Sequence, residues 1–128
     1  MTFLKKILLV DTEPRAAAAV RRALEHTGKY LIKEEHDSKC IVNAARWFQP
    51  NLILVDVIEP GSEPSVTAQR LQEDDAFKDT PVLFFSSKAA GENRVVSAGL
   101  LSGYAFFANP VGIDEFVSCV AELLNGRD

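Results

Sequence analysis

The chain has 128 residues, 47% hydrophobic and 25% charged, with 7 Gly and 6 Pro, which fits one globular domain and excludes a collagenous, low-complexity or disordered chain. No apolar run reaches the roughly 18 residues of a membrane span, and Met1-Thr2-Phe3-Leu4-Lys5-Lys6 lacks the order of a secretion signal, so a cytoplasmic protein with no membrane role is expected. Its 14 Lys and Arg against 18 Asp and Glu give a formal charge of −4, which argues against nucleic-acid binding by this segment.

Ile7-Leu8-Leu9-Val10 is wholly apolar and ends on Asp11, the signature of a strand buried on both faces. A helix follows, with Pro14 suited to its first turn and apolar positions at Ala16, Ala19, Val20, Ala23 and Leu24; Gly28 closes it. Tyr30 to Glu35 predicts a less apolar strand, which belongs at a sheet edge. Ile41, Ala44, Ala45 and Phe48 have helical spacing, closed by Gln49-Pro50-Asn51. Leu52-Ile53-Leu54-Val55 and Val82-Leu83-Phe84-Phe85 repeat the buried-strand signature and end on Asp56 and Ser86. Helices are expected over 65–74, through Val66 and Leu71, and over 92–101, through Val95, Val96 and Leu100. A fifth strand is expected over 104–108 and an amphipathic helix over 113–124, through Phe116, Val117, Val120, Leu123 and Leu124.

Strict alternation of strand and helix implies right-handed crossovers and a parallel sheet covered on both faces. The fold class is therefore α/β, a flavodoxin-like doubly wound sheet of five parallel strands in the order 2-1-3-4-5, forming one domain over 1–128. Cys40 and Cys119 have no partner at ligand spacing and are expected to be free packing residues. Arg21-Arg22, Glu34-Glu35 and Asp74-Asp75 fit solvated faces, and the isolated His26 and His36 carry no assigned role.

Ligands of such sheets bind beyond the carboxyl ends of the strands, where chain direction switches between strands 1 and 3. Asp11, Asp56 and Ser86 each directly follow a buried run, so all three are expected at that crevice. Two carboxylates and a hydroxyl there suit a hard divalent cation such as Mg2+. No nucleophile, base and orienting group can be assembled from two scattered His and two scattered Cys, so a conventional enzyme is not expected.

Lys6 to Asp11, Pro50 to Asp56 with Pro60-Gly61 after it, Thr80 to Ser86, and Phe106 through Pro110 resemble the response-regulator receiver domain, the CheY-like family of two-component signalling. The resemblance covers essentially the whole chain. It implies that Asp56 accepts a phosphoryl group from a histidine kinase or another phosphodonor. It further implies that Mg2+ is held by Asp11, Asp56 and the backbone carbonyl of Ile58. Ser86 would bond the phosphoryl group, and Phe106 stands at the aromatic switch position. Two positions depart from the family: Thr12 replaces the second acid of the metal-binding pair, and Asn109 replaces the Lys before Pro110. Each removes a charge that transfer to a carboxylate uses.

The expected function is thus a phosphorelay receiver that signals through the surface of the fourth helix, fifth strand and fifth helix. Its alternative is a pseudo-receiver, a protein-interaction module independent of phosphorylation. Val95, Val96, Leu100 and Leu101 would give that surface apolar area for a signalling partner or a homodimer.

Overall fold

The computed structural model describes residues 4–11, 14–56, 74, 79–86, 94–100 and 111–125. The elements are β1 (Lys5–Asp11), α1 (Pro14–His26), β2 (Tyr30–Glu35), a short 3-10 turn (Ser38–Cys40), α2 (Ile41–Phe48), β3 (Leu52–Asp56), β4 (Val82–Ser86), β5 (Arg94–Leu100), β6 (Val111–Gly112) and α3 (Ile113–Asn125).

The sheet runs β2-β1-β3-β4-β5-β6, and its first four strands are parallel neighbours. This block has the order 2-1-3-4 of the expected flavodoxin-like fold. Its central strands are apolar throughout their inner positions, 7–10, 52–55 and 82–85, because helices cover both faces. Ile7, Leu9, Leu54 and Phe85 pack toward α1 and α3, through Val20, Leu24, Phe116 and Val120. Leu8, Val10, Ile53 and Phe84 point the other way, onto Ile41, Ala44 and Ala45 of α2. Alternate residues of one strand thus feed separate cores, as the two-residue period of a strand requires. Among the described residues β2 pairs only with β1, and its alternating half-buried and exposed pattern is that of an edge.

The helix ends follow local chemistry. Gly28 closes α1 at φ 72°, a conformation that glycine adopts without steric cost. Gln49 closes α2 at φ 53° and donates its backbone N–H to the Ala45 carbonyl at 2.8 Å. Asn51 then joins two strands: its N–H donates to the Lys6 carbonyl at 2.7 Å, while its Oδ1 accepts from the Lys6 N–H at 2.8 Å.

Two sequence-based expectations are corrected. Residues 94–100, expected as part of a helix, form β5, which runs antiparallel to β4 and not parallel, with a register shift between Phe84 and Phe85. β6 pairs antiparallel with β5 in turn. Val95, Val96 and Leu100 have a spacing that a helix could use, but two consecutive β-branched residues favour extended backbone. The expected strand over 104–108 lies outside the described residues, as does the helix over 65–74 apart from Asp74. The cysteines are free, yet Cys40 is half-buried and Cys119 exposed. Core positions of α3 fall at Phe116, Val120 and Leu124, so residue 119 sits off the stripe that packs inward.

Candidate functional site

Register brings the predicted carboxylates together. Asp11 is the last residue of β1 and pairs directly with Asp56, the last residue of β3. Asp56 pairs with Phe85 on its other side, which sets Ser86, the last residue of β4, at the same carboxyl edge. Thr12, Ile58, Phe106 and Asn109 lie outside the described residues.

Asp11 is only 1% exposed and is the buried polar residue in a core otherwise apolar among the described residues. Its Oδ1 accepts a hydrogen bond from His36 Nδ1 at 2.6 Å, and the same nitrogen lies 3.2 Å from the Asp11 backbone carbonyl. Its Oδ2 has no hydrogen-bond partner among the described residues. An unsatisfied buried oxygen of this kind costs about 1–3 kcal/mol, and more when charged. A buried group left without a partner calls for a specific cause, and a bound ion or water is one such cause.

His36 follows β2, and Glu34 lies two residues before it, on the same side of the strand. The β1–β2 register ends with Val10 opposite Glu35, which brings the next residue of each strand end, Asp11 and His36, within hydrogen-bond distance, with Glu34 beside them. Ligand atoms of Asp11, Glu34 and His36 lie within 4.8 Å of one another. Burial pushes the Glu34 carboxyl above the usual range, and its hydrogen bonding and repulsion with Asp11 add to the rise. Arg21 opposes that shift from α1, with Nε 2.9 Å from Glu34. Hydrogen bonding to the Asp11 side chain holds the His36 imidazole above its ordinary value. The sequence pattern offered no sign of either residue, since their place depends on the pairing of β1 with β2.

The sign of the His36 shift makes a prediction. A histidine whose folded-state proton affinity is raised contributes stability that is fully present below its unfolded pKa of about 6.5. That contribution is lost as pH rises through the folded value. In chelator-treated protein, His36→Gln should therefore be less stable than wild type by about 0.2–1 kcal/mol at low pH, the range of exposed pairs. The gap in urea midpoint should shrink as pH rises above about 6.5 and through the raised folded value. A gap independent of pH would show that His36 carries no charge to Asp11.

No family model matches the chain. It is 28% identical over 119 residues to response regulator Rre1 of Synechocystis, covering 92% of this chain and 51% of that protein. It is 31% identical over 119 residues to the probable transcriptional regulatory protein TcrX of Mycobacterium tuberculosis, covering 92% of this chain and 49% of that protein. The chain spans about half the length of these curated relatives. The fold matches the structure of a transiently phosphorylated "switch" in bacterial signal transduction, with a TM-score of 0.64, 17% identity and coverage of 94% of both chains.

Proposed function

This chain is a homologue of the response regulators and carries the fold of their CheY-like receiver domains, and from that premise we propose that it accepts a phosphoryl group on Asp56 in a two-component phosphorelay. The observation that carries the reading is the direct pairing of Asp11 with Asp56 at the carboxyl edge of adjacent strands, one strand away from Ser86. A carboxylate oxygen of Asp56 attacks the donor's phosphorus. A new P–O bond forms to give an acyl phosphate, the bond to the donor's leaving group breaks, and that group departs with the bonding electron pair. Ser86, at the end of the neighbouring strand, is the residue we assign to bond the transferred group. The chain acts as a signalling module, not as a catalyst on a separate substrate.

The donor set fits a hard cation: two carboxylates meet at one edge, and the buried Asp11 Oδ2 has no partner among the described residues. Asp11, Asp56 and the Ile58 carbonyl would hold Mg2+. When bound, the ion supplies positive charge against the phosphoryl oxygens. A histidine kinase is the phosphodonor we propose, and the β5 and α3 side of the sheet the surface that meets the next partner. Among the described residues no helix is long and apolar enough to cross a membrane, and we place the chain in the cytoplasm as one domain over 1–128.

Incubation with Mg2+ and a small acyl phosphate, followed by intact mass, tests the reading. Wild type should gain the mass of one phosphoryl group and Asp56→Asn none. An unmodified wild type would favour the pseudo-receiver alternative, and equal gain in both would move the acceptor elsewhere.

A further inference from the structure

We propose that Asp11, Glu34 and His36 form a second metal site, distinct from the Mg2+ crevice in its ligand chemistry and selective for a borderline divalent transition metal such as Zn2+. The three residues come from two adjacent strand ends, and their ligand atoms lie within 4.8 Å of one another. Zn2+ bonds of about 2.0–2.2 Å place tetrahedral ligand atoms about 3.4 Å apart, so the cluster must contract by little more than an ångström. The exposed His36 side chain, 53% accessible, has room to make that adjustment.

Two observations on different groups point to a ligand there. Asp11 is buried, its Oδ2 has no hydrogen-bond donor among the described residues, and the Glu34 carboxyl lies against the same carboxylate, so two acidic groups meet there around an acceptor without a donor. The second is the imidazole itself, which sits 2.6 Å from that carboxylate on the same side of the sheet as Glu34. Mg2+ takes oxygen ligands and keeps its waters, whereas one nitrogen with two carboxylates suits Zn2+, with solvent completing the fourth position. Glu34 is held by Arg21 through one oxygen, Oε2, at 2.9 Å. Metal uptake would replace the bond between His36 and Asp11 by two bonds to the ion.

Both ions would call on Asp11, so Zn2+ occupancy would compete with Mg2+ at the crevice. That consequence rests on the phosphoryl-acceptor reading, but the site itself does not, because Asp56 is not among its ligands. Zn2+ titration of the whole chain by calorimetry, with the imidazole nitrogens followed by NMR, tests it. Wild type should take up one Zn2+ with a shift of the His36 ring nitrogens that Mg2+ does not produce. His36→Gln and Glu34→Gln should each weaken uptake by about tenfold or more, while Asp56→Asn, which removes a neighbouring charge but no ligand, should weaken it less than either and keep one Zn2+ per chain. His36 is exposed, so its replacement should leave the fold intact, and circular dichroism checks this. Binding undiminished in both His36→Gln and Glu34→Gln, absence of saturable uptake, or loss of uptake in Asp56→Asn would each overturn the proposal.

Discussion

Replacing Phe85 with Ala should destabilise the protein by about 3–5 kcal/mol, the range for removing a large aromatic side chain from a packed core. Phe85 is completely buried, and its ring centroid lies 5.1 Å from that of Phe116 at 45°. That tilted contact adds about 0.5–1.5 kcal/mol to the area both rings remove from water. It also ties β4 to α3, so a cavity there loosens two elements. Urea unfolding should show a lower midpoint at an unchanged slope, since the surface exposed on unfolding hardly changes. By contrast Leu31→Ala, on the edge strand and 49% exposed, should fall within about 0.5 kcal/mol of wild type. A loss below about 1.5 kcal/mol at Phe85 would mean that its surroundings collapse to fill the space.

The second large effect concerns Mg2+. Thr12 holds the position of the second acid in the pair that the receiver resemblance assigns to metal binding, so Thr12→Asp should raise Mg2+ affinity. Opposite unit charges about 4 Å apart attract by about 1–4 kcal/mol at effective dielectrics of about 80 to 20. At about 1.4 kcal/mol per factor of ten, that attraction alone corresponds to a rise in affinity of about fivefold to several hundredfold. Calorimetric titration of both proteins in Mg2+ measures this directly. Equal affinity would mean that carboxylates already present complete the site.

Much of this was legible locally. A strand covered on both faces must be apolar at each position, so β1, β3 and β4 stood out as continuous runs that end on the site residues Asp11, Asp56 and Ser86. The same logic placed α1, α2 and α3 by their apolar spacing. Residues 94–100 were misread because a short segment with three apolar positions satisfies two periods, and pairing with β4 decides between them. His36 and Glu34 were invisible for a related reason. Nothing beside His36 in the chain marks it; the register of β1 against β2, a contact between distant residues, delivers it to Asp11.

The reciprocal bonds between Asn51 and Lys6 carry a consequence at a distance. They lie where β1 and β3 enter the sheet, at the end opposite the two aspartates, and they fix how far one strand is threaded past the other. A slip by one residue would turn every side chain of β1 to the other face. Asp11 would then point into the α2 side, and its place beside Asp56 would go to Val10. An uncharged amide, about one strand length from the acidic edge, thus acts as the alignment pin that decides whether the two negative charges meet at all.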